Sequence, residues 1–151
     1  MSAITLAVES PLTEDAARLI EGSETALRAV YTADECFTFT AAELDAPEIA
    51  FIVAREEGRA VGCVALVDYG DYGEIKRLYV PESERGKGLA RILMAELEAR
   101  AVAGGAQAVK LETGDKLEAA VALYKKLGYE VCGPFGDYED HPASLFMTKD
   151  L

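Results

Sequence analysis

The segment "EIKRLYVPESERGKGLARILMAELEARAVAGG", residues 74–105, constrains this chain more than any other. It opens as an apolar-rich run, passes through a proline and a polar stretch, and meets two glycines at Gly86 and Gly88. From there Leu89, Ile92, Leu93 and Leu97 recur at helical spacing, and the pattern ends at Gly104-Gly105. This reads as strand, loop, helix, and the following "AVKLET" reads as a second strand. A right-handed crossover through the helix would make the two strands parallel neighbours.

A helix that begins at or near Gly88 presents unpaired N–H groups and the positive end of its dipole, which together favour an anion. Gly86 and Gly88 have no Cβ, so an anion could approach the backbone closely. Between Pro81 and Arg91 the cations are Arg85, Lys87 and Arg91 and the acids are Glu82 and Glu84. Two phosphate loops are excluded. A GxxxxGK loop needs Ser or Thr after Lys87, where Gly88 stands, and a dinucleotide fingerprint needs a third glycine where Arg91 stands. On these residues alone two readings stay open, an anion cradle or a tight strand-to-helix turn with solvated bases.

The remaining elements set the fold class. Ile4 to Val8 alternates like a strand, and "LTEDAARLIEGSETALRAVY" after Ser10-Pro11 predicts a capped helix, broken near Gly22. "IAFIVARE" and "RAVGCVALVDY" predict strands joined at Glu57-Gly58, and Asp68 to Gly73 carries turn signals. "KLEAAVALYKKLG" places Leu117, Ala120, Val121, Tyr124 and Leu127 on one helical stripe, and "YEVCG" and "ASLFMTK" predict two last strands. The sum is an α/β (α+β) chain with a mixed, mostly antiparallel sheet, a central parallel strand pair and flanking helices. A length of 151 residues suits a single domain over 1–151.

Charge and composition narrow the partners. With 27 acids against 15 bases the net charge is −12, which opposes nucleic acid and anionic membrane surfaces and is compatible with a cationic small substrate. The apolar runs fall short of the roughly 20 residues of a membrane span. The first residues, "MSAITLAVES", lack a basic n-region and a long apolar stretch, so a cytoplasmic protein is expected. Cys36, Cys63 and Cys132 lack paired CxxC spacing, so they are expected as reduced thiols in the core, with no metal site.

"RGKGLA" at Arg85–Ala90 matches the Q/R-x-x-G-x-G/A signature of the GNAT superfamily of acyl-CoA-dependent N-acetyltransferases. "ETGDKLEAAVALYKKLGYEV" resembles the superfamily's second motif, which ends in A-x-x-L-Y-x-x-x-G-F/Y. The resemblance implies a splayed parallel pair and acetyl-CoA as co-substrate. Its pyrophosphate would lie at Arg85, Gly86, Lys87, Gly88, Leu89 and Ala90, and its pantetheine arm along the backbone of Leu78, Tyr79 and Val80. It implies Tyr124 as general acid, since a phenol of pKa about 10 can protonate a departing thiolate whose conjugate acid lies near about 8.5. On helical spacing alone Tyr124 reads as a core tyrosine.

An amine must lose a proton before it attacks, and Glu74 is the first candidate base, on a strand face expected to carry Lys76, Leu78 and Val80 as well. Glu112 is second and His141 third. Leu117 departs from the family pattern, which has Asn or Gln there, so that contact with the cofactor arm is missing. Acceptor liners implied by the resemblance are Tyr31, Asp34, Glu35, Tyr138 and Asp140, whose acidity suits a cationic amine. The expected function is transfer of an acetyl group from acetyl-CoA to a primary amine, a small molecule before a protein, by direct attack in a ternary complex. The alternative is a non-catalytic acyl-CoA-binding or sensing module. A homodimer is one assembly the resemblance allows.

Overall fold

Alternation in the N-terminal half and helical periodicity in the C-terminal half produce a three-layer arrangement. In the computed structural model, residues 3–32, 35 and 39–151 are described. In chain order they form β1 (Ile4–Val8), α1 (Glu14–Arg28), α2 (Ala41–Leu44), β2 (Ile49–Glu56), β3 (Arg59–Asp68) and β4 (Tyr72–Tyr79). A short 3-10 turn (Glu82–Glu84) leads to α3 (Leu89–Ala103), β5 (Ala108–Gly114), α4 (Glu118–Lys126), β6 (Glu130–Cys132) and β7 (Ser144–Asp150). The strands make one sheet in the order β1-β2-β3-β4-β5-β7-β6. Only β4 and β5 run parallel; the other neighbours are antiparallel. The expected mixed sheet with its parallel pair is therefore present.

The period of two along β2 and β3 feeds two cores. Ile52, Val64 and Leu66 face Leu93, Met94 and Leu97 of α3, whereas Phe51, Val53, Cys63 and Ala65 face Ala16, Leu19 and Ile20 of α1. Cys63 is fully buried, and burial pushes its thiol up to about 12, so it is an inert core filler. Cys132 is partly exposed, and Cys36 lies outside the described residues. Among the described residues no helix is long and apolar enough to cross a membrane.

Several local expectations change. α1 is capped by Thr13, whose side chain accepts from the Ala16 N–H at 3.0 Å, while Ser10 takes the Leu12 N–H in the preceding turn. The helix is not broken at Gly22. A Cβ there would lie 2.8 Å from the Tyr79 ring, so the glycine serves close approach of α1 to β4. α4 is shorter than its apolar stripe, with Leu117 at its N-cap position and Tyr124 as its buried residue. α2 has no counterpart among the expected elements; Thr40 and Glu43 form a capping box whose spacing is visible in "TAAE".

Candidate active site

The site begins where the sheet opens. β4 and β5 pair from Tyr72↔Ala108 to Ile75↔Leu111 and no further, although the strands run on to Tyr79 and Gly114. Beyond that point each strand keeps its outer partner, β4 as far as Cys63↔Tyr79 and β5 as far as Gly114↔Ser144. The inner edges diverge, and a cleft of about 540 Å³ passes between them from the α1 side to the α4 side. Leu78, Tyr79 and Val80 form one wall, Glu112 and Thr113 the other, and Leu117 and Tyr124 lie at the α4 end.

A bulge sets the side-chain pattern of β4. Between Ala65↔Lys76 and Cys63↔Tyr79, β4 has three steps where β3 has two, and Arg77 takes the extra place at φ 56°. Glu74 and Lys76 share one face as expected. After the bulge the pattern inverts, so Leu78 and Val80 pack with the α3 core and Tyr79 with the α1 core. The expected common face for Glu74, Lys76, Leu78 and Val80 therefore ends at Lys76. The buried Arg77 guanidinium donates to the Phe39 carbonyl, to Ser23 Oγ at 2.8 Å and to Glu24 at 2.9 Å. It ties β4 to α1 and to the segment before α2.

The glycine loop is shaped by backbone rather than by lysine. Gly88 is the N-cap of α3 at φ 78° and Gly86 stands at φ 84°, a left-handed region that side-chain-bearing residues occupy at a cost. An added Cβ would meet nothing within 4 Å at either position, so the loop backbone has open space beside both glycines. Leu89 buries its side chain in the core, which leaves only its backbone for a ligand. Arg85 donates from Nε to the Val80 carbonyl at 3.0 Å, and Arg85 and Ala90 line the cleft. Lys87 does not. Its ammonium is 2.7 Å from Glu84 and 3.4 Å from Glu56, and Glu84 also holds Arg59 at 2.8 Å.

Tyr124 and Glu112 both line the cleft, near enough for the Glu112 charge to act on the phenol. Burial and the nearby Glu112 charge hold the Tyr124 phenol above its ordinary pKa, so it stays protonated throughout the neutral range. Burial raises Glu112 to about 7 against the lowering effects of a Ser144 hydrogen bond and of Lys76, with Glu74 adding to the rise. A carboxylate poised near neutrality and a protonated phenol lining one cleft can accept and donate a proton there.

Glu74 lies elsewhere, in a second cavity of about 500 Å³ bounded by the β3–β4 turn and the segment 135–138. It accepts from Tyr138 Oη at 2.6 Å and pairs with Lys76 at 3.1 Å, and Lys76 and Tyr138 are themselves hydrogen-bonded. Among the described residues Lys76 alone lines both cavities. His141 accepts the Ala143 N–H at Nδ1, 3.0 Å away, and neither it nor Asp140 is among the residues lining the two cavities. Tyr31 and Glu35 line the cleft and Tyr138 the second cavity, while Asp34 lies outside the described residues. Lys76, Arg77 and Ser23 had not been singled out as site residues. The consecutive polar pair Lys76-Arg77 inside "IKRLYV" was the available trace of the bulge, because a regular strand would alternate there.

The acetyltransferase (GNAT) family model matches residues 14–129. The chain is 40% identical over 153 residues to the IAA acetyltransferase of Azospirillum brasilense, covering all of both proteins. It is 38% identical over 112 residues to YsnE, an uncharacterized N-acetyltransferase of Bacillus subtilis (strain 168), covering 72% of this chain and 74% of that one. Among solved structures it resembles a Klebsiella pneumoniae protein assigned by its name to the acyl-CoA N-acyltransferases. That likeness has a TM-score of 0.82 and 31% identity, and covers 100% of this chain and 98% of the other. With a matched family model, a full-length relative and the splayed sheet in agreement, the chain belongs to the acetyltransferase (GNAT) family and works with acetyl-CoA.

Proposed function

We propose that the chain transfers the acetyl group of acetyl-CoA to a primary amine of a small molecule, by direct attack while both are bound. The observation that carries this reading is that Tyr124 and the electrostatically coupled Glu112 line one cleft between the diverging strands. The residues around it fit the donor. Gly86, Gly88, Leu89 and Ala90 offer backbone to the pyrophosphate with Arg85 beside them, and Lys87, already paired, adds charge at a distance. Leu78, Tyr79 and Val80 offer a strand edge to the pantetheine arm, whose thioester supplies the acyl group. Leu117 gives that arm an apolar contact in place of a polar one.

In the reaction the amine nitrogen bonds to the acetyl carbon as the carbon–sulfur bond breaks. Glu112 takes the proton that the amine loses, and Tyr124 donates its own to the departing sulfur. The buried phenol is a weak acid, but the thiolate forms in the same desolvated cleft, which raises the basicity of the sulfur as well. The sequence alone put Glu74 first as base. Its hydrogen bond from Tyr138 and its pairing with Lys76 turn the proposal to Glu112, with Glu74 holding the lysine that helps Glu112 ionise. The name of the Azospirillum relative contains an acceptor, IAA, which favours a small molecule over a protein.

The test is Tyr124→Phe, with thiol release followed over an amine panel and CoA binding read by thermal shift. A loss of about 10²-fold or more in kcat with CoA binding intact is expected. An unchanged kcat removes the acid from the scheme.

A further inference from the structure

The second cavity is a ring-walled chamber that shares one lining residue, Lys76, with the cleft. Five of its ten lining residues are aromatic, drawn from the twelve in the chain. Tyr69, Tyr72, Phe135 and Tyr138 form a continuous wall, with successive ring centroids 5.3, 5.8 and 5.2 Å apart. Phe146, buried behind it, braces Phe135 and Tyr138 at 5.8 and 5.5 Å. The fifth ring, Phe39, lies toward α2 and is fixed by the Arg77 bonds to its carbonyl.

The charges in this chamber are unbalanced. Glu43, Glu74 and Asp137 line it against Lys76, and Lys110 Nζ stands 5.7 and 5.8 Å from the Tyr72 and Phe135 ring centroids of the wall, so the carboxylates outnumber the cations by one. Lys76 marks the inner end, with Nζ 4.8 and 4.9 Å from the Phe39 and Tyr138 ring centroids, so these rings already hold one cation. Lys76 also lines the cleft that holds Glu112 and Tyr124. A ligand lying in the chamber would therefore point its inner end at the reacting groups.

We propose that this chamber is the acceptor pocket and that the acceptor is an arylalkyl amine, whose ring lies against the tyrosine–phenylalanine wall and whose amine reaches the Lys76 junction. The inference rests on the acetyl-transfer reading for its direction, but the chamber's preference is a binding property of its own. A flat ring gains contact area and edge-to-face geometry from the wall that an alkyl chain does not. The excess of carboxylates favours a cation and disfavours an aromatic acid. A polyamine of similar length would carry a further ammonium with no ring to meet the wall.

The probes are phenethylamine, n-butylamine and 3-phenylpropionate, titrated calorimetrically into the CoA-saturated protein, with turnover of the two amines measured in parallel. Phenethylamine should bind about tenfold tighter than n-butylamine and more tightly still than 3-phenylpropionate. Tyr69 is 49% exposed on the β3–β4 turn, so Tyr69→Leu leaves the core alone. That change should reduce the phenethylamine preference at least about threefold and leave n-butylamine unaffected. Asp137→Asn, also exposed, should weaken both amines and leave the ring preference in place. Equal binding of the two amines, tighter binding of 3-phenylpropionate, or an unchanged preference in Tyr69→Leu overturns the proposal. Tight binding of phenethylamine without acetylation keeps the chamber assignment and overturns acetyl transfer; equal turnover and binding of both amines does the reverse.

Discussion

Replacing Glu112 by Gln should make the protein slower and, at alkaline pH, more stable. In the folded chain this carboxyl titrates at about 7, against an ordinary 4.5, chiefly because it is buried. With the base active only when ionised, kcat/KM should rise with pH, from about one-tenth of its plateau at pH 6 to half at pH 7 and about nine-tenths at pH 8. Glu112→Gln should remove that rise and lower kcat by about 10²–10⁴-fold. The stability effect has a fixed sign. A raised folded pKa means that the native state binds the proton more tightly, so this contribution is full below pH 4.5 and is lost as pH climbs through 7. The move from 4.5 to about 7, at about 1.36 kcal/mol per pH unit, is worth about 3 kcal/mol, of which about 2 kcal/mol falls between pH 5.5 and pH 8. Gln carries no charge to bury, so urea unfolding at those two pH values should show the mutant gaining about 2 kcal/mol on the wild type between them. Comparing the two pH values cancels any pH-independent cost of the substitution. A stability difference that does not change with pH would refute the burial argument, and a Gln enzyme that keeps the wild-type pH profile would refute the base.

At the glycine loop, Gly88→Val should weaken CoA binding far more than Lys87→Ala, because valine at φ 78° costs about 1–2 kcal/mol of backbone strain and its side chain would crowd the exposed N–H groups, whereas Lys87 is already paired; calorimetric titration with CoA showing equal, small effects would contradict this ordering. Gly114→Ala should destabilise the protein by about 1–3 kcal/mol in urea, since the new methyl would land on the Tyr31 ring, which is buried and hydrogen-bonded to Asp115 at 3.0 Å. Arg77→Met should cost about 3 kcal/mol and raise the acceptor KM more than the acetyl-CoA KM, because it strands the Phe39 carbonyl, and Phe39 lines the second cavity; unchanged KM values in a folded variant would remove that positioning role.

Much of the donor half was legible as sequence because it is local. Two glycines six and eight residues beyond the end of "EIKRLYV" suit a turn with left-handed positions, and the leucine period after them fixes the helix and its buried face. The β-rich runs "IAFIVARE" and "RAVGCVALVDY", with Glu57-Gly58 between them, indicated a hairpin without any tertiary information. The strand–helix–strand order made β4 and β5 parallel by handedness alone. Where local signals were misread, the competing cause was contact with another element: Gly22 reads as a helix breaker, yet it is the point where α1 meets the Tyr79 ring.

The chemistry of the cleft depends on contacts between residues far apart in the chain, and only the tertiary structure decided it. Nothing in "KLETG" announces that Glu112 will be buried beside Tyr124 and titrate near 7, because desolvation is set by what α4 and β7 bring over it. Glu74 looked the better base until Tyr138, 64 residues away, and Lys76 enclosed it. The bulge at Arg77 left only a doubled polar pair in the sequence, but it decides which side chains of β4 face the α1 core and which the α3 core. Backbone turns and periodicities are properties of neighbouring residues, so the chain wrote them down; pKa values, cavities and strand divergence arise from packing between elements, and they exist only once the sheet has closed around them.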